Sequence, residues 1–176
     1  FFKQKTAYEI VDCDWSSDVC SSDLAINLMR VIEDLAGANL IDIEHIGSTS
    51  VPGLSAKPII DLMAKFEDFE SIDSFISAHL LQLPEWNLVP TELDERPWRR
   101  FCVMVKDSHR FAHLHLVPTN SERWNQHILF REILRKDEHL RNEYQELKNR
   151  LARDLGSDRE AYTQAKAEFI EKVLSS

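Results

Sequence analysis

The residues best suited to chemistry sit between a strand-like run and an acid. Ile43-Glu44-His45-Ile46 leads into Gly47-Ser48-Thr49-Ser50, then a loop to Lys57, then Pro58-Ile59-Ile60-Asp61-Leu62. Gly47 lets the backbone turn tightly and approach a ligand closely. Ser48, Thr49 and Ser50 place hydroxyls beside exposed amides, a nest suited to phosphate oxygens. Lys57 adds a point charge, and Asp61 could hold a magnesium ion that bridges such phosphates. The competing reading of the loop is a tight turn with a Ser cap, and of Asp61 a buried acid capping local backbone. His113 and His115 lie two apart on a strand-like run and share one face. With Asp61 they could form a three-ligand metal site with an open position, suited to zinc or manganese, or supply a general base. Hydrogen-bonded structural histidines are the alternative. Arg131 and Arg135, four apart on a helical stretch, also share a face and could clamp an anion, unless they are solvated surface arginines.

These groups need elements to hold them. Ala25 to Leu35 has helical apolar spacing, and Gly37 can close that helix. Ile41 to Ile46 reads as a strand, and Pro58 to Ala64 as a buried central strand, apolar except for Asp61. Phe69 to Leu83 predicts an amphipathic helix, and Trp86 to Thr91 a short extended segment. Arg99 to Val105 and Phe111 to Val117 predict an antiparallel hairpin with a long turn over Lys106 to Arg110. Arg99 and Arg100 alternate, so one faces in and the other out. Helices follow at about residues 120–135, 137–154 and 158–174, with capping boxes at Thr119/Glu122 and Ser157/Glu160. Trp86, Trp98 and Trp124 suit packing better than base stacking. Lys148 and Lys166 read as surface residues. The expected fold class is α/β (α+β): a mixed sheet flanked by helices, with a helical C-terminal region.

Composition limits the function classes. The chain has 176 residues, 43% hydrophobic and 29% charged, as expected for one globular domain. Its formal charge of −9 argues against general nucleic-acid binding, which needs a basic face. No run approaches the roughly 18 apolar residues of a membrane helix. The three cysteines make neither a zinc spacing nor a disulfide framework, which suits a reducing compartment, and a cytoplasmic location is expected.

A Gly-Ser turn, a short loop and an acid on the next strand resemble the signature of the nucleotidyltransferase superfamily. The string from His45 to Leu62 resembles that of the GrpB family in particular. Arg110 to Leu116, Trp124, Phe130 to Arg135, Tyr144, Lys148, Tyr162 and Lys166 fit the same pattern, so the resemblance spans Ile43 to Leu174. It implies a sheet of nucleotidyltransferase type, a nucleotide or other phosphorylated small molecule as partner, and a divalent metal (magnesium, manganese or zinc) as cofactor. It implies ligand binding by Gly47, Ser48, Thr49, Ser50, Lys57, Arg131 and Arg135, with Asp61, His113 and His115 as catalytic or metal-binding groups. The leading reaction is nucleotidyl transfer. Two readings stay open beside it: a non-catalytic nucleotide or anion sensor, and metal-dependent hydrolysis by Asp61, His113 and His115. Active superfamily members place a second acid two positions along the strand, where this chain has Met63. Two-metal catalysis therefore does not carry over. The sequence leaves the oligomeric state open.

Residues 1–24 differ from the rest. Lys3 to Ile10 and Asp14 to Leu24 resemble, codon for codon and in the right order, the two ends of a translated sequencing adapter. The expectation is a non-native segment that packs poorly, ahead of a single domain over residues 25–176 whose own N-terminus is missing.

Overall fold

The structure is a computed structural model that describes residues 18–154 and 159–175. Helix α1 (Asp18–Ala36) begins the described chain. It starts inside the segment expected to pack poorly, and Leu24 packs against the core while Ser22 and Asp23 are exposed. Residues 1–17 lie outside the described part, as does the cap expected at Ser157. Gly37 ends α1 with φ +53°, the left-handed conformation that a helix stop requires.

Five strands follow: β1 (Leu40–Ile46), β2 (Ile60–Phe66), β3 (Trp86–Val89), β4 (Arg100–Lys106) and β5 (His109–Pro118). Their order across the sheet is β1-β2-β5-β4-β3. The β2–β5 pair is parallel and the other three pairs are antiparallel, so the sheet is mixed as expected. Helix α2 (Phe69–Ala78) and the short α3 (Thr91–Asp94) lie in the connections. Helices α4 (Glu122–Lys136), α5 (Glu138–Asp154) and α6 (Arg159–Leu174) form the C-terminal region.

Alternation along the central strands gives the sheet two chemically different faces. Ile60, Leu62, Ala64 and Phe66 of β2, with Leu114 and Leu116 of β5, join Ile32 of α1 and Ile72, Phe75 and Ile76 of α2 in the main core. The opposite face carries Asp61 and Met63 of β2 beside His113 and His115 of β5, in register Asp61↔His113 and Met63↔His115. Trp124 of α4 packs over its lower part with Ile46, Met63 and Val117. One face thus builds the core, which frees the other to present polar groups.

Several local expectations change. The 69–83 helix stops at Ala78 and tightens into a 3-10 turn at Leu80–Gln82, which ends at Leu83, held extended before Pro84. Its start is capped by Asp68, whose carboxylate accepts from Ser71 N at 2.8 Å. The central strand begins at Ile60 rather than Pro58, which has no N–H to give a ladder. The β4–β5 turn is short, not long. Only Asp107 and Ser108 lie between the strands, with φ +49° and +63°. Thr119 does not cap α4: its hydroxyl donates to Glu67 O at 3.0 Å, and Ser121 occupies the cap position without a side-chain bond.

Candidate functional site

Strand β1 ends at Ile46 and the chain turns at Gly47, with φ +73°. A Cβ at that position would lie 2.4 Å from Asp61 Oδ2, so only glycine fits against the acid. The 3-10 turn Ser48–Ser50 follows. Its three hydroxyls have different fates. Ser50 Oγ donates back to Gly47 O at 2.7 Å and is buried. Thr49 Oγ1 lies 3.0 Å from His45 Nε2 and donates to Ile59 O at 3.4 Å. Ser48 Oγ accepts from Lys148 Nζ at 3.2 Å. Of the expected phosphate-nest hydroxyls, Thr49 and Ser50 are therefore spent on holding the turn. Ser48 alone meets a cation.

That cation is not the expected one. Lys57 is exposed on the loop, while Lys148 reaches from α5 and is 8% exposed. Its second bond, to Ser55 O at 2.6 Å, fixes the ammonium under the loop. No carboxylate pairs with Lys148 among the described residues. Burial, and then the charge of Lys166, push it down to about 7. Lys166 of α6 lowers Lys57 as well, after desolvation. The charge of Lys166 thus reaches both Lys57 on the loop and Lys148 on α5. The spacing of Tyr144, Lys148 and Leu151, all buried on α5, was the available signal that Lys148 lies on the inner face.

Arg131 and Arg135 do not form a free clamp. Arg131 is buried and donates through Nη1 to Glu44 Oε2 and His45 O, both at 2.7 Å, and through Nε to Glu132 at 3.0 Å. Arg135 donates twice to Ser50 O, at 3.0 and 2.8 Å. Both guanidiniums fasten α4 to β1 and to the turn, so their part in the site is to hold the loop in shape.

On the sheet, His113 Nδ1 lies 2.8 Å from Asp61 Oδ1, with side-chain exposures of 19% and 28%. The third expected partner is turned elsewhere, since His115 Nδ1 contacts Arg99 Nη1. Arg99 is in turn bound to Asp94 by Nε at 2.8 Å and Nη2 at 2.5 Å. The alternation expected of Arg99 and Arg100 holds: Arg100 pairs with Asp73 of α2 on the other face. Asp61, His113 and His115 thus do not converge, and the described residues contain no group of three or more His, Cys, Asp or Glu that could hold a metal. With Met63 fully buried where a second acid would stand, one carboxylate is all the strand offers. The side chains present do not fit a resident metal centre.

Two more histidines border the site. His45 is pushed down to about 4 by burial, with Asp61 opposing and Arg135 and Arg131 reinforcing. His127 of α4 is also pushed down to about 4, by burial first and then by Arg99. Burial and Arg99 hold His115 well below the usual imidazole range. His45, His115 and His127 are therefore neutral at pH 7. No spacing along the chain singled out Asp94, His127 or the partner of His115; Asp94 lies five residues from Arg99 but in no recognisable motif, and Arg99 meets His115 from 16 residues away. Trp86 and Trp124 are buried, in keeping with the packing role expected of them.

The mixed sheet, the Gly-Ser turn and the facing acid define a protein of nucleotidyltransferase fold. That fold is shared with the Cid1 poly(U) polymerase structure (TM-score 0.55, 15% identity, 84% of this chain and 45% of that one). The chain belongs to the GrpB family, whose model, described as "GrpB protein", matches residues 14–176. The crystal structure of the conserved protein GrpB from Enterococcus faecalis superposes with a TM-score of 0.72 at 24% identity, covering 89% of this chain and 96% of that one. Among curated relatives, the glutamate-rich protein GrpB of Alkalihalophilus pseudofirmus is 28% identical over 145 residues, 82% of this chain and 83% of its own. A UPF0157 protein of Streptomyces coelicolor is 34% identical over 146 residues, 83% of this chain and 73% of its own. Among the described residues, no helix is long and apolar enough to cross a membrane.

Proposed function

We propose that this protein binds a nucleotide or other phosphorylated small molecule, with a phosphate seated at the Gly47–Ser48 turn and facing Lys148. The observation that carries this reading is Lys148 itself. A lysine is seldom buried without a carboxylate, yet this one is buried against a serine hydroxyl, with Lys166 nearby. An incoming anion would supply a counter-charge that no carboxylate among the described residues gives. Asp61, beside the turn, is the strand acid expected at the reacting end of such a ligand. Nucleotidyl transfer is the reaction that the fold suggests, by analogy alone.

One observation favours a second reading. Met63 stands fully buried where a second acid would face the ligand, which suits binding without turnover, as in a nucleotide or anion sensor. The hydrolase reading draws less support, because His115 is engaged by Arg99 rather than by Asp61.

The two surviving readings separate in one experiment. The full chain is mixed with each nucleoside triphosphate and with coenzyme A precursors, with magnesium or manganese supplied. Binding is followed by calorimetry and pyrophosphate release in parallel. Transfer predicts release that Asp61→Asn abolishes; a sensor predicts binding with no release. Absence of binding to every phosphate compound would refute both.

A further inference from the structure

His113 and His115 stand two residues apart on β5, and each Nδ1 meets a partner of opposite hydrogen-bonding type. His113 Nδ1 faces a carboxylate oxygen of Asp61. An ionised carboxylate only accepts, so Nδ1 must carry a proton, and in the neutral ring Nε2 then keeps its lone pair. His115 Nδ1 faces a guanidinium nitrogen of Arg99. A guanidinium only donates, and the same Nη1 is farther, at 3.5 Å, from Nε2, so Nδ1 must accept and the ring proton goes to Nε2.

The partners themselves are fixed. Asp94 takes two bonds from Arg99, with side-chain exposures of 5% and 6%. The guanidinium also lies over the ring of Phe101 at 4.1 Å. Phe101 packs on both imidazoles, with centroids at 5.2 and 5.1 Å, and so holds the two rings in place. His113 Nε2 is buried and has no hydrogen-bond partner among the described residues. A buried orphan of that kind calls for an explanation, and a role toward a ligand is one.

We infer that the two histidines are held in opposite tautomers, His113 as an acceptor at Nε2 and His115 as a donor at Nε2, with Asp94 and Arg99 the positioning residues for His115. Asp61 then orients His113 as a carboxylate orients a base, and the lone pair at Nε2 suits a hydroxyl group of the bound molecule. The fixed donor of His115 suits an acceptor oxygen. The ligand chemistry that fits is a hydroxyl-bearing group next to a phosphate. That clause rests on the phosphate-binding reading above, whereas the tautomers are a property of the free chain.

Long-range proton–nitrogen correlation spectra of the unliganded, full chain, labelled at histidine and recorded at pH 8, test this directly. His113→Gln and His115→Gln assign the signals. The expected wild-type spectrum shows His113 with its proton on Nδ1, the form free imidazole disfavours, and His115 with its proton on Nε2. Asp61→Ala is expected to return His113 to the Nε2–H form and leave His115 unchanged. Arg99→Met is expected to move the lone-pair Nδ1 of His115 downfield toward its unbonded position, and Arg99→Lys, still a donor, to restore it in part. Identical tautomers in the wild type would overturn the inference, whatever Asp61→Ala and Arg99→Met show. So would an Nδ1–H form of His113 that survives Asp61→Ala, or a His115 signal that ignores Arg99→Met. None of these outcomes depends on finding a ligand, so failure here and failure of the phosphate reading remain distinct.

Discussion

Lys148 gives the site a pH dependence with a definite sign. Its ammonium sits near 7 in the free protein, and a bound anion favours the charged form. Binding should therefore take up a proton above pH 7, and affinity should fall as pH rises from 7 toward 9, by at most about tenfold per pH unit. Lys148→Arg keeps the charge at all pH values, and titration calorimetry should show a flattened profile. A wild-type affinity that stays level across that range would argue against Lys148 as a ligand. Gly47 supplies a second residue-scale prediction. Gly47→Ala places a methyl 2.4 Å from Asp61 Oδ2 at a positive φ, so chemical denaturation should show a loss of about 1–3 kcal/mol, and Asp61 must move. At this scale the sequence was legible where a motif is local. Gly47 and Asp61 lie within one short stretch and stand against each other. Lys148 comes from 100 residues away, and Arg99 meets His115 only because β4 pairs with β5. Spacing along the chain encodes neither.

Helix α4 is an anchored element, and the anchors are the arginines expected to be a clamp. Arg135→Ala removes two charged hydrogen bonds to Ser50 O. It should cost about 1.5–3 kcal/mol and loosen the turn, visible as faster amide exchange at Ser48–Val51. Unchanged exchange there would return Arg135 to the surface. The β4–β5 turn offers a gain instead. Asp107 and Ser108 both hold positive φ, the pattern of the two-residue hairpin that Asn-Gly prefers. The pair Asp107→Asn and Ser108→Gly should raise stability by roughly 1 kcal/mol; a lower denaturation midpoint would count against that turn assignment. Element types were readable, since each strand and long helix overlaps a segment expected to take that form. Ends were less so. Helix α1 begins at Asp18 rather than Ala25, the 69–83 helix ends at Ala78, and the long turn proved to be two residues, because β4 and β5 extend through polar residues such as Lys106 and His109 that carry no apolar signal.

The whole molecule stacks one apolar sheet face on α1 and α2 and leaves the other to polar groups covered by the C-terminal helices. That arrangement buries neutral histidines, and the consequence is acid sensitivity. His45 and His127 have folded values near 4, below the 6.5 of a free imidazole. Their contribution to stability is present in full above pH 6.5. It is lost as pH falls from 6.5 to 4, because the unfolded chain binds protons that the folded one refuses. Melting temperature should drop across that window, and the double variant His45→Gln/His127→Gln should drop less; equal slopes would mean that other groups govern acid unfolding. The fold was legible as a whole because its resemblance runs from Ile43 to Leu174. The site was legible only in part, because α5 and α6 close over it from the far end. The most direct test of the central claim is a thermal-shift measurement of the full chain against nucleoside mono-, di- and triphosphates, with and without magnesium, in wild type and Lys148→Met. A ligand at a hundredfold over its dissociation constant adds about 2.7 kcal/mol, which in a chain of this size is a rise of roughly 5–10 °C. The account predicts such a rise with at least one of these ligands in the wild type and its loss in Lys148→Met. No rise with any of them, or a rise that Lys148→Met leaves intact, would contradict it.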